Sequence, residues 1–262
     1  MDMKSKKRII IKLGTSTLTH KTGRLNIRRV EKLVKIIADI KNSGREVILV
    51  SSGSIGLGMG KLGMTSKPVD TPTKQACAAV GQCELMYMYD KMFSDYNLVV
   101  AQLLLTKYVL LEGRRKNVEN AVETLLQKGV IPIVNENDTV AIDELELEMG
   151  ENDSLAATVA TIVGADLLII LSDIDGLYDK NPKENADAKL ISNVSEITEE
   201  LKKNAGGSGS ALGSGGMKTK LKAAKIAMDA GIDMAILNGR NPDSLYDLLE
   251  GKNVGTYFSA DN

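Results

Sequence analysis

Lys12 is the residue whose position most strongly suggests chemistry. It lies near the end of the apolar run 8–13 and is followed by Gly14, which lets main-chain N–H groups approach an anion. A surface lysine that ends a strand would have the same neighbours. The local sequence therefore leaves a phosphate contact and a solvent-exposed charge equally open.

A glycine-rich stretch at 206–216, GGSGSALGSGG, leads into a helical pattern that carries Lys218 and Lys220. This composition is typical of a flexible linker, but a glycine-rich loop before a helix N-terminus is also a phosphate-binding arrangement. From the loop alone, both interpretations stay open. Lysines in the first turn oppose the positive end of the helix dipole, which favours anion binding over a local stabilising role.

Small, polar and charged residues also follow other predicted strands, at 51–58, 135–138 and 172–176. Ligands of open α/β sheets bind outside the carboxyl ends of the strands, so these segments together indicate a binding site. The small residues from Ser52 to Gly58 would permit close approach of the main chain to a ligand. A tight turn into a helix explains them nearly as well.

An acidic cluster lies between the predicted strand at 130–134 and the start of the predicted helix at 153–164, and it comprises Glu136, Asp138, Glu151 and Asp153. Asp153 could cap the helix that starts there. Paired carboxylates could instead perform glycosidase chemistry, but the lysines and phosphate-type loops at the same strand ends argue against it.

His20 is the only histidine, and neither Cys77 nor Cys83 follows a predicted strand. A nucleophilic triad or a histidine acid–base pair is therefore not expected. A carboxylate acceptor, whose side-chain pKa is ~4.3 for glutamate, is already ionised at pH 7 and needs no base. Phosphoryl transfer to it needs only positioning and charge neutralisation, which lysines, glycine-rich main chain and Mg²⁺ supply.

The composition limits the remaining function classes. The 262 residues are 43% hydrophobic and 26% charged, and the net charge of −1 argues against nucleic-acid binding. No stretch approaches the ~20 apolar residues of a membrane span, and the N-terminal apolar run is too short for a signal peptide. A soluble cytoplasmic protein is expected, with both cysteines as buried free thiols in a reducing compartment.

Short β-branched runs alternate with longer amphipathic segments, which predicts an α/β fold around a mainly parallel sheet. The predicted strands are 8–13, 46–50, 98–105, 130–134, 165–172 and 233–238. The predicted helices lie near 26–43, 72–95, 114–128, 153–164, 216–230 and 242–250. Residues 139–150 alternate like an antiparallel ribbon.

The chain resembles the amino acid kinase family. The stretches that carry the resemblance run in the family's order along almost the entire chain: IIIKLGTSTLT, VILVSSGSIGLG, KQACAAVGQ, QLLLT, IPIVNENDTVA, GENDSLAATVA, LLIILSDIDGLYDKNP, GSGGMKTKLKAAKIA, AGIDMAILNG and GTYF. The combination of NEND with GGMKTK is highly specific. The resemblance implies a three-layer α/β/α sandwich in which ATP and glutamate meet at the carboxyl edge of one sheet.

The resemblance also implies a role for each matched residue. Lys12 and Lys220 would stabilise the transferring phosphoryl group, and Asp153 would orient the two lysines. The substrate-binding residues would be Ser52, Gly53, Asn137, Asp138 and Asn152. The ATP-binding residues would be Lys12, Gly14, Thr15, Ser172, Asp173, Ser214, Gly215, Gly216, Met217, Lys218, Thr219 and Lys220.

Further expectations follow from the same resemblance. Residues 1–262 would form one kinase domain, with glutamate bound mainly by the N-terminal part and ATP by the part from about 165. Mg²⁺ would be held mainly by ATP phosphates, and the protein would self-associate as a dimer or tetramer. Glu151 stands where the family often has Asp, and the C-terminal PUA domain of many members is not expected here. A sister kinase for acetylglutamate, aspartate, carbamate or UMP is the alternative.

Overall fold

The six apolar runs predicted as strands all pair within one sheet. The computed structural model of the chain describes residues 2–20, 22, 24–106, 114–140, 152–182, 184–204 and 216–260. The strands are β1 (Arg8–Leu13), β2 (Glu46–Ser51), β3 (Val100–Leu105), β4 (Ile131–Glu136), β5 (Leu167–Ser172), β6 (Asn193–Val194), β7 (Asp233–Asn238) and β8 (Thr256–Phe258). The short strands β6 and β8 were not predicted.

The sheet is mainly parallel, as expected. Its strand order is β3-β4-β2-β1-β5-β7-β8-β6, and among the strands that the structure describes only the β7–β8 pair is antiparallel. Parallel strands buried on both faces read as continuous apolar runs, which is why these runs could be recognised in the sequence. The carboxyl ends of β1, β2, β4 and β5 consequently meet at one edge.

The predicted helices are present with ends shifted by one or two residues, and three short helices were not predicted as elements. The described helices are α1 (Thr15–Leu18), α2 (Ile27–Asn42), α3 (Ser54–Lys61), α4 (Thr71–Ser94), α5 (Arg115–Gln127), α6 (Asn152–Val163), α7 (Glu199–Asn204), α8 (Met217–Asp229) and α9 (Ser244–Leu249). Because α3 begins directly after Gly53, the turn into a helix that would explain the small residues from Ser52 to Gly58 is present, and their close approach to a ligand stays a prediction.

Two hydrophobic cores lie on opposite faces of the sheet. Ile9 and Ile11 pack in one core with buried residues of α2, α4 and α9, whereas Ile10 packs in the other with residues of α5, α6 and α8. Successive side chains of a strand point to opposite faces, so each buried strand supplies both cores. The result is the three-layer α/β/α sandwich that the family resemblance implied.

Helices α3 and α4 lie unusually close to each other. A Cβ atom built on Gly81 of α4 would lie 1.7 Å from the carbonyl oxygen of Ser54 in α3. No side chain fits in that space, so Gly81 allows the first turn of α3 to rest directly on α4.

The structure corrects one prediction, the burial of Cys83, and does not describe the residues that several other predictions concern. Cys77 is buried as predicted, but Cys83 is exposed because it lies on the outer side of α4. The predicted ribbon at 139–150 falls outside the described residues from 141 onward, as do Glu151, the loop at 206–215, Ser214 and Gly215. Among the described helices, none combines the length and apolarity needed to cross a membrane.

Candidate functional site

Lys12 is held inside the protein by the alternation of side chains along β1. It shares the face of Ile10, which is covered by α6 and α8, and is only 9% exposed. The interpretation of Lys12 as a solvent-exposed surface charge is therefore wrong. An ammonium group buried to this extent requires a partner of opposite charge.

That partner is Asp153, which contacts lysines from two different elements. Asp153 Oδ1 lies 2.7 Å from Nζ of Lys12, and Oδ2 lies 3.1 Å from Nζ of Lys220 in the first turn of α8. Asp153 is 1% exposed and Lys220 is 5% exposed. The structure thus brings β1, α6 and α8 together at one carboxylate, with an ammonium group on each oxygen.

The electrostatics of this cluster favour the ionised carboxylate. Burial by itself raises the pKa of Asp153, but the positive charges of Lys12 and Lys220 outweigh burial and lower that pKa to about 2. Asp153 is therefore an anion at any physiological pH. Together the three side chains carry one net positive charge, which suits a site for an anionic ligand.

The first turn of α8 is tied to the same carboxylate. Thr219 Oγ1 lies 3.0 Å from Asp153 Oδ2 and also donates to the carbonyl oxygen of Gly216 at 2.8 Å. Gly216 and Met217 are partly exposed, and Lys218 is exposed. Of the predicted phosphate-binding segment, Thr219 and Lys220 therefore face Asp153, while Lys218 lies on the solvent side.

A second group of predicted residues meets at the ends of β2 and β4. Nδ2 of Asn152 donates to Ser52 Oγ at 2.7 Å, to the carbonyl oxygen of Ser51 at 2.9 Å and to Asn135 Oδ1 at 3.2 Å. Since Asn152 precedes Asp153, this group adjoins the lysine cluster. Two adjacent residues of α6 therefore connect the two halves of the site.

Asp138 lies near the start of α3. Its Oδ2 accepts a hydrogen bond of 2.8 Å from Ser54 Oγ, and burial raises the pKa of its carboxyl although this hydrogen bond lowers it. Gly53 precedes α3 with φ of 99°, a left-handed conformation that side chains rarely adopt. Asn137 donates its main-chain N–H to the carbonyl oxygen of Leu105 at 2.8 Å.

Predicted ATP-binding residues follow β1 and β5, which are neighbouring strands in register. A Cβ atom built on Gly14 would lie 3.6 Å from Lys12 Nζ, so the main chain passes close to the ammonium group. Ser172 is buried at the end of β5, and Asp173 beside it is partly exposed. A Cβ on Gly53 would contact the Thr15 side chain at 3.7 Å, which places the predicted ATP and substrate residues side by side.

Sequence reasoning missed Gln82 as part of this site, and it gave no individual role to Ser54 or Asn135, although both lie in the segments that it assigned to the site. Asn135 belongs to β4 rather than to the loop after it, and its Nδ2 donates to Gln82 Oε1 at 2.8 Å. The sequence contained a signal for Gln82, because Ala78, Gln82, Leu85 and Tyr89 have helical spacing and Gln82 is the one amide among them. In the structure all four residues are buried on α4.

Within the part of the chain that the structure describes, no three histidine, cysteine, aspartate or glutamate side chains are grouped as metal ligands. The chemical groups of the described site are two ammonium groups, the carboxylate that they share, the carboxyl group of Asp138, main-chain amides and neutral amide and hydroxyl groups. These can bind and neutralise anions.

Comparison with known proteins gives a consistent family. The amino acid kinase family model matches residues 7–238. A glutamate 5-kinase of Clostridium perfringens is 56% identical over 261 residues, covering 98% of this chain and 97% of that protein. A glutamate 5-kinase of Listeria innocua is 50% identical, covering 98% and 95% respectively.

Solved structures share the fold at lower identity. Carbamate kinase from Giardia lamblia, bound to AMP-PNP, superposes with a TM-score of 0.70 at 19% identity, covering 98% of this chain and 99% of that chain. UMP kinase from Bacillus anthracis gives 0.66 at 18% identity, covering 98% and 97%.

Proposed function

The chain belongs to the amino acid kinase family, and from this premise we propose that it phosphorylates the side-chain carboxylate of L-glutamate with ATP. The products are ADP and L-glutamyl 5-phosphate, and the reaction is the first step of proline biosynthesis. The observation that carries the proposal is the pair of buried lysines, Lys12 and Lys220, on the two oxygens of Asp153.

The lysine pair suits the charge that phosphoryl transfer creates. In the transition state the negative charge spreads over the equatorial oxygens of the transferring group, and fixed positive charges stabilise it. Asp153 holds both ammonium groups on one side, so neither has to move from solvent when the substrates bind. Asp153 is accordingly a positioning residue for the two lysines.

The acceptor explains why the described site needs no general base. A glutamate side chain, with a pKa of ~4.3, is ionised at neutral pH, so its oxygen attacks the γ-phosphorus without losing a proton. Asp153, whose pKa is about 2, is too weak a base to serve as a proton acceptor. Transfer depends on bringing the two anions together in line.

The polar residues beside the lysine cluster form the proposed glutamate site. Ser52 and Asn152 supply a hydroxyl and an amide, and Asp138 supplies a carboxylate that can pair with the α-ammonium group. Gly53 and Asn137 contribute main-chain groups at the same edge. Because Asn152 directly precedes Asp153 in the chain, the proposed acceptor site adjoins the two lysines that are proposed to bind the phosphoryl group.

ATP is proposed to lie on the side of the site formed by the chain from about residue 165. Ser172, Asp173 and the start of α8 provide its binding groups, with main-chain amides of Gly14 and Thr15 near the terminal phosphate. Ser214 and Gly215 belong to the same proposal but lie outside the described residues. Mg²⁺, carried on phosphate oxygens, would neutralise part of their charge.

Other acceptors are less well supported. The relatives at 56% and 50% identity are glutamate 5-kinases, whereas the carbamate and UMP kinases share the fold at 19% and 18% identity. Likeness at that level indicates the fold and not the acceptor. Self-association as a dimer or tetramer, a cytoplasmic location and the lack of a nucleic-acid partner stay predictions.

The acceptor is tested with a substrate panel. The enzyme is incubated with ATP and Mg²⁺ and with glutamate, aspartate, acetylglutamate, carbamate or UMP. Release of ADP is measured, and the acyl phosphate is trapped with hydroxylamine as a hydroxamate. Hydroxamate from glutamate and not from aspartate or acetylglutamate supports the proposal, and ADP release with UMP or carbamate alone refutes it.

The lysine roles are tested in the same assay. We expect Lys12→Ala and Lys220→Ala each to lower kcat about a hundredfold, as for other lost electrostatic stabilisers. Lys225→Ala is the control, because Lys225 is also on α8 but is exposed and pairs with Asp229. Near-normal turnover in both site variants would contradict the assigned roles.

A further inference from the structure

A chain of amide hydrogen bonds crosses the carboxyl edge of the sheet from one helical layer to the other. It begins at Gln82 on α4, passes through Asn135 on β4 and ends at Asn152 at the start of α6. Gln82 and Asn135 are buried, at 8% and 1% exposure. Neither residue has a role in the function proposed above.

The last amide of this chain can present only one of its ends to a ligand. The two N–H bonds of Asn152 are shared among Ser51, Ser52 and Asn135, all of them acceptors. Its carbonyl oxygen Oδ1 is therefore the end that remains for the substrate. An amide oxygen accepts hydrogen bonds and donates none, so it favours an N–H group over a carboxylate.

The orientation of Asn152 depends in turn on Asn135. Asn135 Oδ1 accepts from Asn152 and from the main-chain N–H of Glu136 at 3.0 Å, while its Nδ2 donates to Gln82. If the Asn135 amide were reversed, its Nδ2 would face two other donors, Nδ2 of Asn152 and the main-chain N–H of Glu136. Its oxygen would then face the oxygen of Gln82. The oxygen of Gln82 thus stabilises the one orientation of Asn135 that holds Asn152 correctly.

Nε2 of Gln82 makes no hydrogen bond within the described part of the chain, although it is buried. An apolar side chain of the same length would satisfy the packing of α4 without that unpaired group. The Nε2 group of this glutamine is unfavourable because it is a buried donor without a partner, whereas its Oε1 accepts from the buried Nδ2 of Asn135. Its oxygen is the feature that an apolar residue could not replace.

We propose that Gln82 is a specificity-determining positioning residue, which acts through Asn135 and Asn152 so that the site selects the α-ammonium group of glutamate. Gln82 does not touch the substrate. It fixes the direction of the Asn152 amide, and the acceptor recognised is an amino acid in preference to a plain dicarboxylic acid. The inference rests on the proposed function, because it concerns how that acceptor is recognised.

The test compares glutamate with glutarate, which has both carboxylates but no ammonium group. In Gln82→Met, a side chain of similar length without the acceptor oxygen, we expect KM for glutamate to rise about tenfold. The inhibition constant of glutarate against glutamate, kcat and KM for ATP should each change less than about threefold, because these do not depend on the ammonium contact.

Two further variants separate this role from a structural one. Gln82→Glu keeps an oxygen that can accept from Asn135, and it should restore KM for glutamate to near the wild-type value. Gln127→Met, at an exposed glutamine of α5, is the matched control and should leave all constants unchanged. Thermal unfolding of each variant shows whether it is folded.

The outcomes are distinct. The inference would be overturned if Gln82→Met changed the constants for glutamate, glutarate and ATP equally, or if it left KM for glutamate unchanged. In either case, phosphorylation of glutamate by the wild-type enzyme would still support the proposed function. If the wild-type enzyme does not phosphorylate glutamate, the proposed function fails and the inference fails with it.

Discussion

Replacing Asp153 by Asn should reveal how much stability the lysine cluster contributes. The substitution keeps the size and shape of the side chain but removes the charge between Lys12 and Lys220. Both ammonium groups would then be buried next to each other beside a neutral amide. We expect a large loss of stability, because breaking a buried pair leaves uncompensated charge.

The magnitude follows from two opposing effects. At an effective dielectric constant of ~20, one ion pair at 2.7 Å has an attraction of about 6 kcal/mol, and desolvation of the charges offsets much of it. The net effect appears in the pKa of Asp153, which falls from 3.8 to about 2 and corresponds to roughly 2 to 3 kcal/mol. Repulsion between the two lysines acts whichever side chain stands at position 153 and does not add to the difference, so Asp153→Asn should cost about 2 to 3 kcal/mol.

The pH dependence of this loss has a definite sign. The pKa of Asp153 is lower in the folded state than in the unfolded state, so its contribution is present above about pH 4 and is lost as the pH falls toward 2. Below that range Asp153 is protonated and resembles asparagine. The difference in stability between wild type and Asp153→Asn should therefore be constant near neutral pH and shrink in acid.

Urea unfolding of both proteins between about pH 6 and about pH 2.5 measures this difference. Asp187→Asn is the control: Asp187 pairs with Lys180 at 2.6 Å, but its side chain is 79% exposed, so its loss should cost less than about 1 kcal/mol. If both substitutions cost the same, or if the loss at Asp153 does not change with pH, burial of the cluster is not the source of its stability.

Three other predictions concern the surroundings of the site. Gly81→Ala should lower the melting temperature strongly, because its Cβ would meet a main-chain oxygen of α3 at 1.7 Å, whereas Gly56→Ala, with its nearest contact at 3.7 Å, should not; equal shifts would contradict the packing. Burial raises the pKa of Asp138, so as the pH falls this carboxylate should be protonated at a higher pH than an exposed aspartate, and glutamate binding should weaken there. Asp138→Asn should remove this acid limb from the pH profile of KM. Cys83 should react with a thiol reagent in the folded protein and Cys77 only after unfolding, as counted by mass spectrometry; rapid labelling of both would refute the assigned burial.

The sequence alone determined the six longer strands of the sheet and the edge at which the candidate site lies. Parallel strands buried on both faces need continuous apolar runs, and the runs that end near Lys12 and Ser172 have this pattern. The glycines and lysines at the strand ends then indicated an anion site, because these residue types bind phosphate by local geometry. Short strands such as β8 lack a long apolar run and could not be recognised.

The tertiary structure decided which residues act together. The period of two along β1 fixes the face of Lys12, but the helix that covers this face depends on strand order, which the local sequence does not encode. Only packing brought Asp153 of α6 between Lys12 and Lys220, and only packing joined Gln82 to Asn135. A polar residue in a buried stripe shows that a partner is required, while the identity of that partner is a property of long-range contacts.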